Sequence, residues 1–156
     1  MRVLFVGNSY TYVNDLPYVV AVVAAARGIE IDYGMLAEPN YALPDHIVTG
    51  AYDRKLAEGW DYVVLQQGPS SLPENRELLR VWAVRAAESA HAAGVPLMVH
   101  YIIGMPGESA AEVNGTLAYA MDLYERFGAW PAVQYATPLP GTELARGRSL
   151  PIVDDC

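Results

Sequence analysis

The sequence predicts an α/β domain, a flavodoxin-like three-layer sandwich built around a five-stranded parallel sheet. Five short apolar runs, rich in Val, Ile and Tyr, lie at Arg2–Val6, Glu30–Leu36, Trp60–Gln66, Pro96–Ile103 and Pro131–Ala136. They mostly lack strict polar alternation, as strands covered on both faces do. Helical patterns separate them in regular order, which favours parallel strands, right-handed crossovers and the strand order 2-1-3-4-5. A chain of 156 residues, 53% hydrophobic and 18% charged, can build one domain with its own core. Neither a low-complexity linker nor an internal repeat divides it, so residues 1–156 read as one unit.

Each element has a local reason. The first strand runs into Gly7-Asn8-Ser9-Tyr10-Thr11. Leu16–Arg27 is apolar nearly all round and closes on Gly28, a residue suited to the left-handed position after a helix. A weaker helical segment lies within Leu43–Glu58, interrupted near Gly50. Pro73–Ala93 starts with Pro and Glu in its first turn and ends on Gly94. Ser109–Phe127 opens with Ser109, carries Glu112 three residues later as a capping box does, and closes on Gly128. In such folds ligands gather beyond the carboxyl ends of the strands. Those ends are Gly7–Thr11, Ala37–Ala42, Gln66–Ser71, Gly104–Glu108 and Thr137–Gly141.

Composition narrows the function. A net charge of −8 offers no basic stripe, which argues against a nucleic-acid partner. The longest apolar stretch, residues 16–26, is too short to span a bilayer, so no membrane partner is expected. The start of the chain matches a signal peptide poorly, and a cytoplasmic protein is expected. The one cysteine, Cys156, excludes an internal disulfide and a cysteine-built cluster within the chain. Because no Asp, Glu and His grouping has ligand spacing, neither a metal nor another cofactor is expected.

Ser9 is the chemical candidate. A serine hydroxyl attacks only when a base takes its proton and donors hold the developing oxyanion. Gly7 lets the backbone turn sharply, and the amides around Asn8 could serve as such donors. The competing reading is that Asn8, Ser9 and Thr11 are ordinary turn and cap residues. Three histidines compete as base. His46 follows Asp45, although adjacent helical residues do not face one another. His91 lies near the far end of the long third helix. His100 sits within the fourth strand and reads as a core residue.

The segment VLFVGNSYTYVNDLP, residues 3–17, resembles the first block of the SGNH (GDSL-like) hydrolases, in the variant with Gly-Asn-Ser for Gly-Asp-Ser. WDYVVLQQGPSSLP, residues 60–73, is similar to that variant's third strand and following loop, and Leu43-Pro44-Asp45-His46 keeps the spacing of its second loop. The resemblance covers about residues 1–90. It implies esterase chemistry on a small ester, with Ser9 as nucleophile and Gln66, Gln67 and Gly68 on the oxyanion side. Three departures weaken the inference. The loop Glu38-Pro39-Asn40-Tyr41 has Asn40 at the pocket and no glycine; Gln66 or Gln67 stands in for the family's Asn; and no Asp-x-x-His follows residue 100. The terminal Asp154-Asp155-Cys156 supplies carboxylates without an imidazole. The expectation is a weak or inactive hydrolase whose remaining pair is Asp45 and His46.

Residues 94–144 resemble something else, the later half of a radical SAM barrel. The matches are His100–Ser109 and Pro138–Leu144. The cysteines that would bind that family's cluster are absent. What remains is a turn containing Gly104, Gly107, Glu108 and Ser109 ahead of a helix, a candidate anion contact that the Glu108 charge opposes. The second resemblance implies a recombined or designed chain, with residues 91–156 of separate ancestry. Its alternative functions are a non-catalytic scaffold or a residual SAM- or nucleotide-binding module.

Overall fold

A computed structural model describes residues 1–67, 73–138 and 143–146. In order the elements are β1 (Arg2–Gly7), α1 (Ser9–Tyr12), α2 (Leu16–Ala25), β2 (Asp32–Ala37), α3 (Leu43–Val48) and α4 (Ala51–Leu56). Then follow β3 (Tyr62–Leu65), α5 (Pro73–Ala92), β4 (Met98–Ile103), α6 (Ala110–Phe127), β5 (Trp130–Tyr135) and α7 (Glu143–Arg146). The expected caps form. Ser109 Oγ accepts from the Glu112 amide at 3.3 Å while the Glu112 carboxylate accepts from the Ser109 amide at 2.8 Å. The helix expected within residues 43–58 divides at Gly50, whose φ of 67° ends one helical direction and starts the next.

Every paired strand is parallel, but the five strands do not form one sheet. Among the described residues they form a three-stranded sheet, β2-β1-β3, and a two-stranded sheet, β4-β5. Neighbours within each sheet follow the expected order; the ladder between β3 and β4 is missing. β3 is four residues long, and Pro96, ahead of β4, has no amide to donate. An open recess of about 450 Å³ lies by the amino ends of these strands, lined by Met1, Trp60, Asp61, Tyr62, Gly94 and Pro96.

Burial corrects a second expectation. Of the five strands, only β1 is buried on both faces, through Val3 and Phe5 on one side and Leu4 and Val6 on the other. Leu4, Val6 and Val63 pack with Tyr52 of α4 and with Ala86 and Ala90 of α5. Val99 of β4 packs with Ala87 of α5 and with Leu123 and Phe127 of α6. On the alternate positions Tyr62, Val64, Met98 and Ile102 are exposed. Apolar composition marks a strand that can be covered on both faces; it does not supply the second layer. Tyr52 shows the buried side at its tightest: 1% exposed, it donates its hydroxyl to the Ala86 carbonyl at 3.2 Å, and burial pushes its phenol up. Tyr101 on β4 is pushed up to about 12, by burial first and by nearby Tyr119 second.

One close packing contact carries a prediction. Trp60 donates its indole N–H to the Lys55 carbonyl at 2.6 Å, and the Arg2 guanidinium stacks 4.5 Å from its ring centre. A Cβ added at Gly34 would stand 2.3 Å from the ring's Cη2. Gly34→Ala must displace a ring held from two sides, with an expected cost of about 1–3 kcal/mol. Thermal melts followed by circular dichroism should show a lower Tm for the variant; an unchanged Tm would mean that the ring moves aside freely.

Candidate active site

The site begins where β1 ends. Gly7 is its last residue, Asn8 is extended (φ −140°, ψ −152°), and the single turn of α1 starts at Ser9. A four-residue helix has little stability of its own, so side chains from three segments fix this turn. Asn8 Oδ1 accepts from the Tyr10 amide at 3.1 Å, and Asn8 Nδ2 donates to the Tyr41 carbonyl at 2.8 Å. Gln66 Oε1 accepts both the Asn8 amide and the Thr11 hydroxyl, each at 3.1 Å. Gln66 Nε2 donates to the Gln67 carbonyl. Gln67 Oε1 accepts from the Leu43 amide at 2.8 Å, tying the start of α3 to the end of β3.

Ser9 itself is half-buried, and its hydroxyl has no hydrogen-bond partner among the described residues. Asn8 and Thr11, at 4% and 2% exposure, are spent on holding the turn. The geometry therefore separates three neighbouring polar residues that the sequence left equivalent: two are structural, and Ser9 is presented.

His46 is brought to this turn but not to the serine. It is 1% exposed, and its Nε2 lies 2.8 Å from the Gly7 carbonyl oxygen. Its Nδ1 is buried with no partner among the described residues. Asp45 turns elsewhere: its carboxylate accepts from the Ala42 amide at 2.8 Å, capping α3. The adjacent pair thus makes no dyad, and neither member bonds to Ser9. His91 is exposed in the last turn of α5. His100 is exposed on β4, contrary to its reading as a core residue, because it falls on the uncovered face of that strand.

Gln66 bonds to the serine turn with both ends of its side-chain amide engaged, and Gln67 bonds to the start of α3; Gly68 is outside the described residues. Asn40 stands in the loop that lacks the glycine. Its φ is 62°, a left-handed conformation that Asn tolerates better than most residues. The partners that Thr11 and Tyr41 find are not marked in the sequence. Nothing local marks either one, since Thr11 meets Gln66 across 55 positions and Asn8 meets the Tyr41 carbonyl across 33.

The second candidate turn is closed on itself. Glu108 Oε2 accepts from the Gly104 amide at 2.5 Å and the Met105 amide at 3.1 Å. The carboxylate that was expected to repel an anion occupies the anion's place. Gly107 completes the turn with a φ of 82°, and Ser109 caps α6. Among the described residues no group of three His, Cys, Asp or Glu could hold a metal ion, and no helix is long and apolar enough to cross a membrane.

The parallel strands and the helices between them make an α/β fold with a serine turn beyond the carboxyl end of β1, and solved SGNH-hydrolase structures share that fold. Solved structures of that type resemble the chain. TesA is 14% identical, with a TM-score of 0.61 over 84% of this chain and 77% of its own. AlinE4, an SGNH-hydrolase family esterase, is 12% identical, with a TM-score of 0.59 over 84% and 74%. The esterase EstA from Pseudoalteromonas sp. is 13% identical, with a TM-score of 0.54 over 85% and 76%. No family model and no curated protein matches the sequence. A likeness spanning 84% of the chain runs past residue 90 and into the part resembling a radical SAM barrel; a radical SAM segment or a chimera is not shown.

Proposed function

We propose that the protein is an SGNH-type serine esterase acting on small esters, with Ser9 as nucleophile. The observation that carries this reading is the presented Ser9 hydroxyl on a turn whose polar neighbours Asn8 and Thr11 are committed to holding it. Ser9 Oγ attacks the ester carbonyl and its proton passes to the departing alcohol. Water then cleaves the acyl-serine, releasing the acid and restoring the hydroxyl. The Ser9 amide at the start of α1, which has no partner among the described residues, is the nearest oxyanion donor. The Asn8 amide is spent on Gln66. With no imidazole on Ser9 Oγ among the described residues, turnover is slow.

The printed descriptions of AlinE4 and EstA as esterases, and of EstA as inhibited by monoethylphosphonate, support the reading by fold likeness. The test is covalent capture. Incubation with an alkyl fluorophosphonate, followed by intact-mass and peptide mapping, should place one phosphonyl group on Ser9. Hydrolysis of p-nitrophenyl acetate with no adduct on Ser9 would overturn the assignment.

A further inference from the structure

We infer that His46 is a positioning residue: its imidazole holds the Gly7 carbonyl, and so fixes the backbone from which Ser9 projects, and does not take the serine's proton. The inference rests on the esterase reading above and assigns a role within that site.

The chemistry of the contact sets the tautomer. A carbonyl oxygen only accepts, so the nitrogen 2.8 Å from it, Nε2, carries the hydrogen. In the neutral ring Nδ1 is then the bare acceptor, and it is buried without a partner among the described residues. The one ring nitrogen able to take a proton therefore makes no bond to Ser9, and the other is committed to the backbone two residues before it. The ring is further fenced by Tyr41, whose ring centre is 5.0 Å away. The same loop gives the Tyr41 carbonyl to Asn8 Nδ2. The β2–α3 segment thus grips the serine turn twice, at Gly7 through His46 and at Asn8 through Tyr41. Displacing such a support by an ångström is enough to cost a large factor in rate at a catalytic group.

Two substitutions separate positioning from proton transfer. The Gln side chain keeps an N–H able to reach the Gly7 carbonyl but cannot serve as a base; Leu keeps bulk and offers no donor. With the full chain and an alkyl fluorophosphonate, His46→Gln should phosphonylate Ser9 within about threefold of the wild-type rate. His46→Leu should fall roughly ten- to hundredfold, with KM for p-nitrophenyl acetate little changed. A fall in His46→Gln as deep as ten- to hundredfold, with an unchanged circular dichroism spectrum, would assign His46 the base and overturn the inference. Wild-type protein gives a readout that needs no variant: imidazole ¹⁵N shifts should report the hydrogen on Nε2, and a hydrogen on Nδ1 would remove the lock. Should the wild type not label at Ser9, the esterase reading fails separately. Amide hydrogen exchange at Gly7–Thr11 then still decides: protection retained in His46→Gln supports the lock, and protection lost there refutes it.

Discussion

Ser9→Ala should bring hydrolysis of p-nitrophenyl acetate down to the rate in buffer. Of the two aliphatic hydroxyls on the serine turn, Thr11 is bonded to Gln66 and Ser9 has no partner among the described residues, and the variant removes the latter. The methyl group left behind needs no hydrogen bond, and Ser9 Oγ makes none to lose among the described residues. The fold should therefore survive with an unchanged melting curve, which isolates the chemistry. The wild-type rate sets how large the loss can be. A positioned general base contributes about 10²–10⁴-fold, and the described residues place no imidazole on Ser9 Oγ. The wild type is accordingly expected to be a slow esterase. Stopped-assay comparison at equal protein concentration checks both statements. Equal rates from the two proteins would remove Ser9 from the mechanism.

Gly7→Ala should damage stability and site together. A Cβ at Gly7 would lie 2.3 Å from Thr11 Oγ1 and 2.6 Å from Gln66 Oε1. Those two atoms are bonded to each other at 3.1 Å, and Gln66 Oε1 also holds the Asn8 amide. The added methyl must part them, and Thr11, at 2% exposure, has little room to retreat. An expected cost of about 1–3 kcal/mol follows from overpacking a closed network. For a chain of this size that lowers Tm by roughly 2–4 °C per kcal/mol. The same shift moves the backbone before Ser9, so fluorophosphonate labelling should slow roughly a hundredfold. A variant that melts and labels like the wild type would show that the turn tolerates rearrangement, and the clamp would lose its role.

Much of the architecture was legible because local signals had local causes. Ser109 and Glu112 cap α6 from three residues apart, and Gly50 breaks a helix where its neighbours in sequence require it. Parallel pairing followed from strand–helix alternation. The site was legible only as far as its loop. The Gly-Asn-Ser-Tyr-Thr loop could be singled out after an apolar strand, but the roles of Asn8, Ser9 and Thr11 could not be told apart, because what distinguishes them is Gln66 and Tyr41 arriving from far along the chain. Asp45 and His46 show the converse. Adjacent in sequence, they diverge on α3, one to its own helix start and the other to Gly7.

The sequence by itself determined the five strands, the longer helices between them, their parallel sense and the loop that carries Ser9, since propensity, capping and hydrophobic period act over a few residues. Tertiary structure decided the rest: that β3 and β4 do not pair, that one face of the later strands stays open, and that His46 binds a carbonyl instead of a hydroxyl. Those outcomes depend on where distant segments meet and on which donors and acceptors are already taken when they do. No spacing along a single chain encodes that competition.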